Sequence, residues 1–400
     1  MPSTKFRTAK KWRQIALSTP QLWASLDIDV VQLGKRMSHR RRPVQWFNQA
    51  ASWLHRAGSH PLSVTLRHPP GEEETKTTFQ SDLTFLRQIS DRVERLEVHG
   101  LEQERRELSF YSNSLDFTPG SFPLLRTLVF GPGNIGEFDN GLSDCWLGFF
   151  SDAPRLCELA LLGEVVIAST PLPWHQLTKF IGYDLSIDDC LELLRLAPDL
   201  EECTFRIQSP ITLTPPPVIH TNMKSLILLP DSEGECWFDS LMAALTLPAL
   251  ETLTLTISDM CASSVFEAFL SRSSAPLRHV LITPNHGPEF ADWSGCFHLM
   301  PDLEHLDIAY EESQFQADFI TAFGTSEELL LPQLRHLNFY RPTARLTEVS
   351  SAVAQRKILD PEGKLQAANV LWEPEDMVFC NSFQSSKNVS NKSYMIKLQD

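Results

Sequence analysis

The chain of 400 residues is 42% hydrophobic and 21% charged, and it carries a net charge of −15 at pH 7. This balance is typical of a folded protein rather than a disordered one, and no apolar run is long enough to cross a bilayer, so we expect no membrane partner. Twelve Lys and Arg against two Asp make residues 1–70 basic, whereas the rest of the chain is acidic. Because an acidic body repels nucleic acid, we expect neither DNA nor RNA as the main partner.

The cysteines and the N-terminal segment indicate the compartment. No apolar h-region follows the first basic residues, so the sequence predicts no secretory signal. The eight cysteines form no CxxC pair and match no zinc module, which favours reduced thiols in a cytoplasmic or nuclear protein. The basic residues within 35–42 fit either a nuclear-import patch or a solvated loop.

The first predicted element is a helix around Trp12. Ile15 and Ala16 share one face of this helix with Trp12, and a short turn with a second apolar anchor follows at Pro20, Leu22 and Trp23. We assign residues 1–30 to this segment and residues 31–60 to a linker helix, after which the first strand ends near residue 66. A simple N-terminal cap over the following strands is an alternative interpretation.

From residue 61 to 340 one phrase recurs: a proline, one residue, and then an L-x-x-L-x-L pattern. The clear copies have their first apolar position at Leu125, Leu156, Leu250, Leu303 and Leu334, and weaker copies begin at Val93, Leu177, Leu200, Met223 and Leu277. The spacings of 21 to 32 residues lie mostly within the range of leucine-rich repeats. Helical stretches separate the strands, and no unit can bury its apolar face alone, so the units must stack. The sequence therefore predicts an α/β fold, a degenerate leucine-rich-repeat solenoid with parallel strands on the concave side and helices on the convex side.

Three successive repeats carry histidine at the third motif position. Side chains alternate along a strand, so with Leu306 and Leu337 in the core these histidines face the concave side. Strands about 4.8 Å apart would arrange them as a ladder. We predict a target-binding surface there, made of His279, His305, Asp307, His336, Asn338 and Tyr340. Exposed polar filler, a pH-sensitive patch and a chance metal site are alternative interpretations, and no carboxylate pattern supports the metal.

Motifs of catalysis or cofactor binding are weak in this sequence. Residues 131–136 match G-x-G-x-x-G, but the helix and the acidic residue of a dinucleotide site do not follow. No P-loop, zinc-protease or nucleophile-elbow motif occurs. We therefore expect no enzyme, no cofactor and no metal.

The repeat pattern ends near residue 340, so residues 341–400 are predicted to be a C-terminal cap and a disordered tail. Residues 343–357 fit a capping helix that buries Leu346, Val349 and Val353, since a terminal repeat has to shield its open core. Residues 381–393 are rich in Ser and Asn, which favours disorder.

Residues 9–26 resemble the second half of an F-box, in the W-R-x-I-A-L-S-T-P-x-L-W form of F-box proteins of mushroom-forming fungi. The linker and the degenerate repeats that follow are also similar to those proteins, and the resemblance covers about residues 8–340. The family's opening Leu-Pro-x-Glu helix has no counterpart ahead of Trp12, and Ala9 stands where the family has cysteine. The resemblance thus implies a partial F-box.

This resemblance implies a substrate receptor of an SCF-type ubiquitin ligase, which performs no chemistry itself. Its Skp-type adaptor would bind Trp12, Ile15, Ala16, Pro20, Leu22 and Trp23. A protein target would bind the concave face, and the chain would be a monomer outside the complex. The missing helix has two interpretations: sequence lost upstream of Met1, or a chain that binds targets without recruiting a ligase. The alternative function is a stand-alone protein-binding scaffold or inhibitor.

Overall fold

The computed structural model describes residues 4–29, 44–67, 86–99, 122–131, 147–163, 165–208, 216–230, 237–257, 261–284, 290–309, 314–325, 329–340, 346–360, 363–371 and 393–397. The chain forms two compact units, Met1–Leu185 and Ser186–Asp400. Both are mixed α/β with parallel strands, an arrangement compatible with a solenoid-like fold.

The first unit contains six parallel strands that pair in chain order. They are β1 (Ser25–Asp29), β2 (Leu62–Arg67), β3 (Val93–His99), β4 (Thr127–Gly131), β5 (Glu158–Leu162) and β6 (Lys179–Leu185). Equivalent motif positions lie side by side: Leu96 is opposite Leu128, and Leu128 is opposite Leu159. Because these leucines share one face of the sheet, they form a continuous apolar row.

The N-terminal helices of this unit are held by one tryptophan. Helix α1 (Thr4–Leu17) is followed by a 3-10 helix (Pro20–Trp23), and α2 (Val44–His55) precedes β2. The indole N–H of Trp23 donates to the carbonyl of Ala16 at 2.6 Å. Its ring packs edge-on against Trp53 of α2 at 4.5 Å between centroids, under the guanidinium of Arg56. Trp23 therefore ties α1 to α2.

Strand β1 was not predicted, because residues 1–30 were assigned entirely to the F-box segment. Ser25 to Asp29 alternate polar and apolar side chains, and Ile28 is buried. This alternation is the ordinary signal of a half-buried strand. Residues 25–29 therefore belong to the sheet, in register with β2.

The second unit contains a parallel sheet that also follows chain order and ends in one antiparallel strand. Its strands are β7 (Glu202–Ile207), β9 (Ser225–Pro230), β11 (Thr252–Ile257), β12 (His279–Pro284), β13 (His305–Ala309), β14 (His336–Tyr340), β15 (Ala367–Leu371) and the antiparallel β16 (Ser393–Lys397). The short strands β8 (Val218–Ile219) and β10 (Leu245–Thr246) pair separately.

Helices connect these strands, and each contacts the next in the chain. They are α3 (Ile187–Leu196), α4 (Trp237–Ala244), α5 (Ser263–Ser273), α6 (Phe290–His298), α7 (Gln314–Thr325) and α8 (Leu346–Leu359). The start of α3 illustrates why they form: Ser186 caps it by accepting the Asp189 N–H at 3.1 Å. Asp188 and Asp189 lie at its N-terminus and Arg195 in its last turn, which complements the helix dipole.

Aromatic side chains join the helices to the sheet of the second unit. Phe266 of α5 lies 5.9 Å from Phe238 of α4 and 5.5 Å from Trp293 of α6, between ring centroids. Phe319 of α7 packs edge-on against Phe339 of β14 at 6.3 Å. The inward face of the strands is therefore the face that carries the helices.

The repeat positions predicted from the sequence are confirmed. All ten first apolar positions, from Val93 to Leu334, are at most 2% exposed. The sheet also continues past residue 340, since β15 pairs with β14 after helix α8. That helix buries Val349 and Val353 as expected, but it connects two strands instead of closing the fold. The disorder predicted for residues 381–393 lies outside the described residues, except that Ser393 begins β16.

Candidate functional site

The outward side chains of β12 to β15 form the surface that we call the ladder face. Strand register groups them in rows. The first row is His279, His305, His336 and Ala367; the second is Leu281, Asp307, Asn338 and Asn369; the third includes Ala309 and Tyr340. The structure thus brings together all six residues predicted to bind a target.

The three histidines form a ladder of neighbouring rings. The ring centroids of His305 and His336 are 4.6 Å apart with planes 14° from parallel, so these rings stack. The His279 ring is tilted by 57° relative to that of His305, at a centroid distance of 5.8 Å. The tilt of His279 follows from a separate contact with Asp307.

Asp307 is the acceptor around which the ladder face is organised. Its carboxylate is 9% exposed, with Oδ2 at 2.6 Å from Nε2 of His279. Its other oxygen, Oδ1, accepts the side-chain N–H of Asn338 at 2.6 Å. Hydrogen bonds to an ionised acceptor are stronger than neutral ones, so these two contacts fix His279 and Asn338 in place.

A row of amides extends from Asp307 across two more strands. Asn338 donates to Asp307, and Asn369 in turn donates to the side-chain oxygen of Asn338 at 2.7 Å. The Oδ1 atom of Asn369 is buried and has no hydrogen-bond partner among the described residues. The amide row therefore runs in one direction and ends in an unused acceptor at β15.

Burial and neighbouring charges shift two ionisable groups on this face. Burial lowers the pKa of His305, and the flanking His336 and His279 lower it further. Burial raises the pKa of Tyr340 to about 12, with a smaller contribution from the Asp307 carboxylate. Both side chains are thus neutral near pH 7, and they offer rings with polar edges, a combination typical of protein interfaces.

A line of charged side chains borders the ladder face where the strands begin. Glu304 lies between Arg278 and Arg335, with N–O distances of 3.9 and 3.4 Å. These groups are partly or largely exposed, so their attraction is weak. They give the border both signs of charge, beside a face whose His305 and Tyr340 are neutral near pH 7.

The described side chains of this face take part in hydrogen bonding and ring stacking. Among the described residues, no three His, Cys, Asp or Glu side chains are arranged to hold a metal ion. The Asp307 oxygens are already used by His279 and Asn338. The G-x-G-x-x-G match falls outside the described residues, apart from Gly131 in β4.

The predicted adaptor-binding residues divide into an exposed and a buried group. Trp12 is 65% exposed, Leu22 58% and Ile15 42%. We call these three side chains the N-terminal apolar patch. Ala16 and Pro20 are half-buried, and Trp23 is only 9% exposed because it packs on α2. Trp23 therefore contacts Ala16 and Trp53 within the protein, while Trp12, Ile15 and Leu22 are exposed to solvent.

The sequence did not identify the buried role of Asp307 or the contribution of Asn369. The contact of His279 with Asp307 is diagonal, since His279 lies opposite His305. Diagonal neighbours on adjacent strands are within reach of long side chains. Asn369 was missed because Ala367 and Ala368 give its strand little apolar contrast, and because this copy lacks the proline that opens the clear copies.

Comparisons with known proteins leave the site to be interpreted from its geometry. No protein-family model matches the chain, and no curated protein matches it either. Within the described part of the chain, no helix is both long and apolar enough to span a membrane.

Proposed function

We propose that this protein is the target receptor of an SCF-type ubiquitin ligase, acting in the cytoplasm or nucleus. In this proposal the units form a degenerate leucine-rich-repeat solenoid preceded by a partial F-box. A protein target binds the ladder face, and a Skp-type adaptor binds the N-terminal apolar patch. The chain itself performs no chemistry.

The observation that carries the proposal is the exposure of Trp12. A tryptophan that is 65% exposed leaves a large apolar surface in water, and Ile15 and Leu22 add to it. Apolar residues gathered at the surface mark protein-binding sites, and tryptophan is among the residues that contribute most to binding. These are also the positions where the sequence resembles the F-box motif.

The ladder face supports the second half of the proposal. Its side chains lie on paired strands and are fixed by hydrogen bonds to Asp307 or by ring stacking. When a partner binds, the side chains of this surface therefore lose little additional entropy. Tyr340 is half-buried beside the histidines, and tyrosine contributes both apolar area and a hydroxyl group to an interface.

The alternative function, a stand-alone binding scaffold or inhibitor, needs only the ladder face. Under this alternative the N-terminal apolar patch has another use, and no adaptor is recruited. Adaptor binding therefore discriminates between the two functions.

The test is co-elution of the purified full chain with a Skp-type adaptor in size-exclusion chromatography. We expect a complex that Trp12→Ala weakens by at least about tenfold, the loss typical of an interface hot spot. Ile219→Ala is the matched control, since Ile219 is 70% exposed but lies on β8 of the second unit. No co-elution of the unmodified chain would favour the stand-alone function.

A further inference from the structure

A small cavity lies beneath the C-terminal half of α8. It has a volume of about 40 Å³, and its wall includes Phe323, Leu331, Arg356, Lys357, Asp360 and Lys364. A buried water needs about 10–15 Å³ of such volume, so the space accommodates a few waters or a small polyatomic ion. None of these residues belongs to the ladder face or to the N-terminal apolar patch.

The guanidinium of Arg356 enters this cavity without a full set of acceptors. Arg356 is only 5% exposed, and it lies 4.9 Å from the ring centre of Phe323. Its Nη2 donates to the carbonyl of Leu331 at 3.5 Å, a long contact. Its Nη1 is buried and has no hydrogen-bond partner among the residues that the structure describes. A buried cation in this state has lost its water and has not regained equivalent contacts.

Arg272 shows what a satisfied arginine looks like in a similar position. It lies near the end of α5 and also reaches back to the preceding repeat. Its Nη2 donates to the carbonyls of Met242 and Leu245, both at 2.7 Å. Arg356 also extends toward the preceding repeat, but it donates there to one carbonyl only, at the long distance of 3.5 Å. Hydrogen bonding to the preceding repeat therefore uses only part of its guanidinium.

The charges around the cavity are mainly positive. Among the described residues of its wall, Arg356, Lys357 and Lys364 contribute three cations, and Asp360 contributes one carboxylate. Asp360 follows α8, but within the described residues its carboxylate makes no ion pair with Arg356 and lies against Gly363. Burial lowers the pKa of Arg356, and Asp360 only partly opposes that effect. The Lys364 ammonium donates to the side chain of Gln333, which places it at the rim.

We propose that this cavity is a binding site for a small oxyanion, with phosphate as the representative ligand. The anion accepts hydrogen bonds from the free Nη1 of Arg356, and Lys364 contributes a second charge from the rim. Arginine suits this role because its planar group presents several donors to an oxyanion. The site is independent of adaptor and target binding.

The test is calorimetric titration of the full chain with inorganic phosphate, at an ionic strength held constant with chloride. We expect saturable binding that Arg356→Met abolishes and Lys364→Gln weakens. Asp360→Asn removes the opposing charge, so we expect it to tighten binding, a result that loss of folding cannot imitate. Lys224→Gln is the control, because Lys224 is an exposed lysine that pairs with Glu201 elsewhere in the unit.

A parallel titration with a phosphoserine peptide distinguishes two sources of the oxyanion. Binding of inorganic phosphate alone assigns the site to a free ion, and binding of both probes assigns it to a phosphate group of a partner; either result supports the site. Absence of binding by both probes would overturn the proposal. Equal phosphate affinity in the unmodified chain, Arg356→Met and Asp360→Asn would overturn it as well.

Discussion

The Nε2 atom of His279 lies 2.6 Å from Oδ2 of Asp307 on the neighbouring strand. Asp307 is two residues beyond His305, the residue directly opposite His279. The same carboxylate accepts a hydrogen bond from the side-chain amide of Asn338, on the strand at its other side. A nearly buried anion thus holds together side chains from three strands. This arrangement gives Asp307 a structural role in addition to any contact with a partner.

Replacing Asp307 by alanine should lower the free energy of unfolding by about 1–3 kcal/mol, because His279 and Asn338 lose a charged acceptor. Urea unfolding of the purified chain measures this change. Asp302→Ala is the control: Asp302 is exposed in the same repeat, so its removal should change stability by less than about 0.5 kcal/mol. Equal effects of the two substitutions would show that the Asp307 contacts contribute nothing.

The alternation of β12 and β13 predicts different costs for two leucines. Leu306 points into the core and is fully buried, so Leu306→Ala should cost about 2–5 kcal/mol through the cavity that it leaves. Leu281 is on the outward face of the adjacent strand and only partly covered. Leu281→Ala should therefore cost clearly less in the same unfolding experiment. A larger loss for Leu281 would contradict the assignment of the two faces.

The histidine ladder should make stability depend on pH. The folded chain lowers the pKa of His305, so the unfolded chain takes up this proton first as the pH falls. Stability should therefore decrease below about pH 6.5, the ordinary histidine value, until the lower folded pKa is passed. The groups acting on His305 are His279 and His336, which oppose its protonation, and Asp307 and Glu304, which favour it.

Urea unfolding at about pH 7.5 and 5.5, on either side of the ordinary histidine pKa, measures this effect. His305→Gln should reduce the loss of stability between the two pH values. His298→Gln, at an exposed histidine at the end of α6, should leave the loss as it is. If both variants behave alike, the stack does not control the titration.

The sequence predicted the repeat strands well because their signal is local. Clear copies, such as those at Leu250 and Leu303, have a proline two residues before the first apolar position and alternating residues after it, and burial of one face requires that alternation. Strand β15 lacks this phrase: Ala367 and Ala368 give little apolar contrast. Its place in the sheet depends on pairing with β14, a contact that no local pattern encodes.

The candidate sites were predictable as sets of residues but not as contacts. The alternation of side chains along a strand predicts that His305 and Tyr340 lie on the same face of the sheet. This prediction requires only the two-residue period of a strand. The diagonal contact between His279 and Asp307 depends on side-chain rotamers as well as register. In the N-terminal segment, the sequence predicts the same adaptor-binding role for Trp12 and Trp23. In the structure α2 covers only Trp23, and Trp12 is exposed.

The last prediction concerns where the protein target binds. The double substitution of Tyr340→Ala with His305→Ala should lower target binding and cost less thermal stability than Leu306→Ala, because both side chains lie on the outward face. A pull-down of cellular partners with the unmodified chain and the double variant measures the loss. Thr321→Ala is the control, since Thr321 is exposed on helix α7.

If the histidines contact the target, affinity should also change between about pH 5.5 and 7.5, where a histidine near its ordinary pKa changes charge. An unchanged set of partners, combined with loss of binding on altering residues 131–141, would place the target site outside the ladder face.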